Sequence, residues 1–181
     1  MATPNDISQQ NKQGGSELAG SDRPLITITT PHLRIHEGVS FGADYYLSSL
    51  ADDAVLDIVV VVGSKSAHAV PSWSVGGDCE ARWFKNTTIT SGTEIPSLNR
   101  ADYSGTPAET KVYRIPVDLV DGDEQSSGGY IPGGSGPLAA GGQRGFDREV
   151  VLKAGSTYLF RVINRSGGAI MLSFDMDWYE S

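Results

Sequence analysis

The sequence has little cysteine, few cations and no long apolar run, and each shortage excludes a class of protein. One cysteine in 181 residues excludes an internal disulfide framework and a zinc site built on several thiolates. Lys and Arg total 14 against 22 Asp and Glu, a net charge of −8 that argues against nucleic-acid and anionic-membrane partners. The longest apolar run covers residues 58–62, whereas a membrane helix needs roughly 20 residues. We therefore expect a fold held together by its core or by neighbouring subunits.

Residues 1–24 form a polar segment. After the initiator Met, Ile7 and Leu18 are its large apolar residues, too few to offset the entropy of ordering the segment. We predict a flexible N-terminal arm over residues 1–24, disordered when alone, followed by one β domain over residues 25–181. An inert leader and an arm that orders against a partner both remain open.

The rest of the chain is dominated by short segments that alternate apolar and polar residues. The clearest is the C-terminal segment, in which the apolar set is Ile170, Leu172, Phe174, Met176 and Trp178. This period of two is typical of a half-buried strand. Further strands are predicted at residues 25–30, 33–37, 45–47, 54–62, 67–75, 79–84, 112–119, 149–152 and 158–163, with a short helix left open at 47–53.

These strands predict the fold class. Pro116 cannot donate to a ladder, so its strand should lie at a sheet edge or carry a bulge. About ten short strands without a convincing helix favour an all-β, antiparallel β-sandwich of jelly-roll-like form.

Residues 121–145 are expected to form one long glycine-rich loop, because nine of the 22 glycines fall there. Loops of this length are usually functional or disordered. Tyr130, Ile131 and Leu138 are isolated apolar residues within it and are candidates to anchor on a neighbouring subunit. A flexible insertion without function is the alternative.

Candidate metal sites are weak in this sequence. His32 and His36 fall in a segment predicted to be extended, which places them about 13 Å apart and prevents chelation unless the strand breaks between them. His68 stands alone and is interpreted as structural or surface-exposed. Asp121, Asp123 and Glu124 offer oxygen ligands, but their spacing matches no calcium loop.

Signals for catalysis are equally weak. Asp175 and Asp177 share one strand face about 7 Å apart, a separation that overlaps that of paired catalytic carboxylates in glycosidases. Two acids on the solvent-facing side of one strand are usually ordinary solvated residues, and we interpret them so. Cys79 shares a face with Trp83 and is interpreted as a small buried hydrophobe. No nucleophile elbow or phosphate-binding loop is present. We therefore expect no enzymatic activity and no cofactor.

Aromatic residues leave two alternatives open. A sugar-stacking platform could be built from Tyr45, Tyr46, Trp73, Trp83 and Tyr103. The same residues could fill a core, and the alternation places Trp83 and Trp178 inward.

Three strings in the sequence resemble a known family. They are Ile35-His36-Glu37-Gly38; residues 152–167, Leu-Lys-Ala-Gly-Ser-Thr-Tyr-Leu-Phe-Arg-Val-Ile-Asn-Arg-Ser-Gly; and Trp178-Tyr179-Glu180. The set resembles the head-decoration (cement) proteins of tailed phages, which are small β-sandwich virion proteins. Residues 121–145 have no counterpart in that family.

The resemblance implies a non-catalytic, often trimeric jelly-roll-like protein that binds the major capsid protein on the outer surface of the virion and stabilises the head. An acidic chain suits that location. The capsid or subunit contact candidates from the arm and the strand after it are Ile7, Leu18, Leu25, Ile26 and Ile28. Strand addition to a capsid loop is one way for the last three to bind.

Two other functions are kept as alternatives. A carbohydrate- or receptor-binding β-sandwich module of a virion would use exposed aromatics and the long loop. A cupin-like enzyme would need clustered His and carboxylate ligands, which three scattered histidines supply poorly.

Overall fold

In the computed structural model, which describes residues 30–125, 129–133, 142–145 and 149–181, the alternating segments of the sequence form two antiparallel sheets packed as a sandwich. The all-β fold class predicted from the sequence is thereby confirmed. The elements are α1 Thr30–His36, β1 Ser40–Leu50, β2 Val55–Val61, β3 Ala67–Val75, β4 Cys79–Lys85, β5 Ser91–Ile95, β6 Leu98–Asn99, β7 Lys111–Val117, β8 Asp123–Glu124, β9 Gly129–Ile131, β10 Gly142–Gly145, β11 Val150–Leu152, β12 Thr157–Asn164 and β13 Ile170–Glu180.

The first sheet has the order β10-β3-β13-β1-β6, and β11 also pairs with β3. The second sheet has the order β5-β7-β2-β12-β4-β8, and β9 also pairs with β4. The C-terminal strand β13 is central to the first sheet because it pairs with β1 along one side and with β3 along the other. Its alternation therefore determines which residues of the first sheet face the core and which face outward.

The core lies between the sheets and is rich in aromatic rings. Phe174 of β13 packs 6.2 Å from Phe160 of the opposite sheet and 4.8 Å from Trp73, measured between ring centroids. Phe41 and Trp178 meet at 5.7 Å. These separations lie in the range in which aromatic pairs attract beyond simple burial. The contact between Phe160 and Phe174 thus joins the two sheets across the middle of the sandwich, and the other two pairs pack within the first sheet.

The strand predicted over residues 33–37 is wrong, because this segment is the helix α1. Thr30, the last residue of the strand predicted at 25–30, belongs to α1, and residues 25–29 lie outside the described part of the chain. Pro31 in the first turn and Gly38 just after the last turn, with φ of +72°, are standard helix boundary residues. Leu33 and Ile35 alternate with polar neighbours as in a strand, so the alternation misled the prediction. No helix among the described residues is long and apolar enough to cross a membrane.

Two further predictions concern the helix considered at 47–53 and the strand that contains Pro116. The helix considered at 47–53 is absent, since β1 continues to Leu50 and a turn with Asp53 at φ 56° follows. Strand β7 is internal, between β5 and β2, so Pro116 does not mark an edge. The register between β5 and β7 shifts beside it, and Ile115 has a φ of 51°, which confirms the alternative of a bulge.

The single loop predicted at residues 121–145 is wrong where the structure describes it. Its parts form β8 and β9, which extend the second sheet beside β4, and β10, which extends the first sheet beside β3. A Cβ on Gly133 would lie 2.0 Å from the backbone of Gly77. Glycine is needed there because two backbone segments approach closely.

Candidate functional site

The two outer faces of the sandwich differ in how they are covered. On the second sheet, Val59, Phe84 and Leu159 form a buried outer cluster, and Ile89 and Leu119 from neighbouring segments pack over it. On the first sheet, the outward residues at the centre of β1, β3 and β13 face solvent without such a cover from the described residues, and α1 packs over one end of this surface. We call this surface the open face.

Three carboxylates occupy the centre of the open face. Asp44 of β1 lies directly opposite Asp175 of β13, and Asp177 follows on the same face. Arg100 extends across Gly42 to form an ion pair with Asp177, and a Cβ on Gly42 would lie 2.5 Å from its guanidinium nitrogen. Partial burial, and then the negative charges of Asp177 and Asp44, raise the pKa of Asp175. The centre therefore carries more negative charge than the described cations neutralise.

Large apolar side chains surround this acidic centre. Their positions follow from the strand register, because residues paired across strands share a face. They are between 41% and 68% exposed, and they are Tyr46, Val70, Leu98, Val151 and Met171. Exposed apolar residues grouped on one face mark an interaction surface more often than scattered ones do.

One end of the open face contains a groove of about 580 Å³. Tyr46 and Met171 form its apolar part, and Ser74 and Ser173 contribute hydroxyl groups. Its remaining boundary includes Gly142 of β10, so the glycine-rich segment contributes to this groove. An exposed aromatic ring beside hydroxyl groups can contact both the apolar and the polar sides of a sugar.

The other end, beside α1, holds a pocket of about 370 Å³ that contains a histidine–carboxylate pair. His68 Nδ1 lies 2.5 Å from Glu149 Oε1, and the Tyr179 hydroxyl donates to the same oxygen at 3.0 Å. The Tyr179 ring stacks on His68 with centroids 4.6 Å apart. The Arg34 guanidinium of α1 lies 5.7 Å from the centroid of the Tyr179 ring. Burial, and then the bond to Glu149, raise the pKa of Tyr179. These contacts fix the His68 ring and attach α1 to the sheet.

Possible metal ligands among the acids are already engaged by cations or amides. Arg161 donates to Asp57 at 2.6 Å and to Asp121 at 2.7 Å, and Asn86 donates to Asp123 at 2.6 Å. Within residues 30–125, 129–133, 142–145 and 149–181, no group of three or more His, Cys, Asp or Glu is arranged to hold a metal ion.

Of the contact candidates predicted from the sequence, two lie in the described residues. Tyr130 on β9 is 64% exposed and hydrogen-bonds to Asp78. Ile131 is buried in the core opposite Cys79, so it is not accessible to another subunit in this fold. The candidates outside the described residues are Ile7, Leu18, Leu25, Ile26, Ile28 and Leu138.

The aromatic platform predicted as one alternative is divided between core and surface. Trp73 and Trp178 are buried, which confirms the core interpretation for both, and Trp83, also predicted to point inward, is half-buried and packs against the core. Tyr46 and Tyr103 are exposed, but Tyr103 is bound through its hydroxyl to the His36 carbonyl near α1, whereas Tyr46 borders the groove. Cys79 is fully buried, as predicted, and burial raises the pKa of its thiol to about 11.

The sequence prediction missed the open face as a unit. The alternation of β13 indicated that Met171, Asp175 and Asp177 point outward together. The neighbours of β13 could not be deduced from that pattern, and those neighbours bring Asp44 and Tyr46 beside it.

Comparisons with known proteins give little. No protein-family model matches the chain, and no curated protein matches it. Among solved structures, a mutant VP2 protein of infectious bursal disease virus, in derived T=1 particles, aligns with 92% of this chain at 11% identity. The alignment spans 45% of that chain's length, and its TM-score is 0.15. A likeness this low supports no conclusion about fold or function.

Proposed function

We propose that this chain is a non-enzymatic virion protein that decorates the outer surface of a tailed-phage head, binds the major capsid protein and stabilises the capsid lattice. The open face of the first sheet is its attachment surface. The observation that carries this proposal is the asymmetry of the sandwich. Both sheets expose large apolar residues. The second sheet covers its apolar outer cluster with its own segments, whereas the first sheet groups its exposed apolar residues around an acidic centre that the described segments leave open.

The charge of the open face specifies the partner surface. Asp44 and Asp175 face each other, and the pKa of Asp175 is raised in part by this repulsion. A lysine or arginine placed above them would relieve the repulsion, and apolar side chains around it would cover Tyr46 and Met171. The capsid site is therefore expected to be basic at its centre and apolar at its rim.

A homotrimer would strengthen attachment to a repeating lattice. Each copy would present the same face, so binding of the first subunit would make binding of the others effectively intramolecular. A modest interface per subunit would then be sufficient. Size-exclusion chromatography with light scattering is expected to give a mass of about three chains; a monomer at micromolar concentration would contradict the trimer.

The function is tested by rebinding. Purified protein is mixed with phage heads from which the decoration layer has been stripped, and bound protein is measured by sedimentation. We expect saturable binding and a higher melting temperature of the heads, because a ligand that binds only the assembled state stabilises it. Absence of binding to the stripped heads would overturn the proposal.

The second candidate function is carbohydrate or receptor binding, and the 580 Å³ groove is the observation that favours it. If it is correct, Tyr46→Ala should abolish binding to a host surface polysaccharide. Tyr103→Ala is the matched control, since it removes another exposed tyrosine away from the groove. Polysaccharide binding that depends on Tyr46, together with no capsid binding, would replace the capsid proposal by this one.

A further inference from the structure

The helix α1 places two exposed histidines one turn apart. His32 and His36 have their Nε2 atoms 2.9 Å apart and their ring centroids 4.7 Å apart. The extended segment predicted from the sequence would have separated them by about 13 Å and excluded chelation. The helix reverses that conclusion, because positions four apart lie on one helical face.

Contacts at the C-terminal end of α1 hold this arrangement. At its C-terminus, Gly38 N donates to Ile35 O at 2.9 Å and Val39 N donates to Arg34 O at 3.2 Å. This is the paired hydrogen-bond pattern of a Schellman motif, which here requires the positive φ of Gly38. In addition, the Tyr103 hydroxyl donates to the His36 carbonyl at 2.6 Å. A seven-residue helix that would be marginal alone is thereby fixed to the sandwich.

The two nitrogens are close enough to bind one ion. Metal–imidazole bonds are about 2.0–2.1 Å long, so two Nε2 atoms about 3 Å apart can both reach one ion once the exposed rings rotate to aim their lone pairs at it. Imidazole nitrogens suit Cu²⁺ and Ni²⁺, and Cu²⁺ stands highest in the affinity order of the divalent first-row metals.

The geometry points to a divalent metal site on α1, formed by His32 Nε2 and His36 Nε2 and suited to Cu²⁺ or Ni²⁺. The hydrogen bond between the rings means that one Nε2 carries a proton and the other accepts it. Ligation needs both lone pairs, so the donating ring carries its proton on Nδ1 when the ion is bound. Water fills the other coordination positions, since the described residues supply no third His, Cys, Asp or Glu to this pair.

The test is calorimetric titration of the full chain with CuSO4, NiSO4 and ZnSO4 in a buffer that does not coordinate metals. We expect one Cu²⁺ per chain, with nitrogen superhyperfine structure in its electron paramagnetic resonance spectrum, and tighter binding of Cu²⁺ than of Ni²⁺ or Zn²⁺. His36→Gln and His32→Gln should each weaken Cu²⁺ binding by about tenfold or more, because the second imidazole otherwise binds intramolecularly.

His68→Gln is the matched control and should leave the affinity unchanged, because its Nδ1 is held by Glu149. Circular dichroism and melting temperature establish that each variant is folded. The site is refuted if the wild-type chain fails to bind Cu²⁺, or if His36→Gln binds it within twofold of the wild type. Tighter binding of Zn²⁺ than of Cu²⁺ would refute the assignment of the site to Cu²⁺.

Discussion

Replacing Asn164 should destabilise the sandwich more than its small side chain suggests. Asn164 is fully buried at the end of β12, and its Nδ2 donates to the carbonyl groups of Leu50 at 2.9 Å, Ala51 at 3.0 Å and Gly168 at 2.7 Å. Its Oδ1 accepts from Ser166 N at 2.9 Å. One side chain thus joins the end of β1 to the turn that leads into β13.

The magnitude follows from these contacts. The amide has two N–H groups, so its three donor contacts amount to two donated hydrogen bonds with one of them shared, and Oδ1 accepts a third. At about 1 kcal/mol net for each bond, Asn164→Ala is expected to lower the free energy of unfolding by about 3 kcal/mol. For a chain of this size, that corresponds to a fall in melting temperature of roughly 6–12 °C. Asn164→Asp preserves the shape but turns an oxygen toward three carbonyl oxygens, so at neutral pH it should destabilise at least as much.

The assay is urea unfolding followed by tryptophan fluorescence, with Asn86→Gly as the control. Asn86 has a φ of 59°, which glycine adopts easily. The variant loses one exposed hydrogen bond, the one that Asn86 donates to Asp123. The control should therefore change stability by less than about 1 kcal/mol. An Asn164→Ala variant within about 1 kcal/mol of the wild type would refute the assignment of Asn164 as the tie between these segments.

Three further predictions concern pH, thiol reactivity and the arm. Burial, and then the charges of Asp177 and Asp44, raise the pKa of Asp175 in the fold, so stability should fall as pH rises from the pKa of Asp175 in the unfolded chain to its pKa in the fold. Asp175→Asn should raise the melting temperature at neutral pH and remove this fall. A variant with the same melting temperature and pH dependence as the wild type would contradict this prediction. Cys79, whose pKa burial raises to about 11, should resist thiol reagents at pH 8 until urea unfolds the chain, whereas rapid native labelling would show it accessible. Deleting residues 1–24 should leave the melting temperature unchanged and weaken capsid attachment, and unchanged capsid occupancy would reject a binding role for the arm.

The sequence predicts the strands well where one face is buried, because burial imposes a period of two. Residues 67–75 and 170–179 illustrate this, and both form strands close to the predicted bounds. Alternation alone failed at α1, where Leu33 and Ile35 suggested a strand. The residues that decide the matter are Pro31 and Gly38, whose backbone preferences mark the ends of a helix.

The strands within the glycine-rich segment could not be predicted from alternation, for a different reason. Its strands β8, β9 and β10 are two to four residues long, so their sequences are too short to show periodicity. They form because β4 and β3 offer backbone partners, which is tertiary information. For the same reason Ile131, isolated in sequence, is a core residue beside Cys79.

The open face was likewise only half predictable. The outward position of Asp175 and Asp177 follows from alternation along β13. Their pairing with Asp44, and the reach of Arg100 across Gly42, depend on which strands become neighbours. Strand order is set by long-range contacts that a single sequence does not display.

The most direct test of the central claim is the affinity of two charge-reversal variants for stripped phage heads. Asp44→Lys places a cation at the centre of the open face and relieves repulsion on Asp175, so the fold should be retained. Glu94→Lys makes the same charge change on β5 of the second sheet. We predict that Asp44→Lys weakens binding by about tenfold or more and that Glu94→Lys binds like the wild type. Wild-type affinity of Asp44→Lys would contradict attachment through the open face.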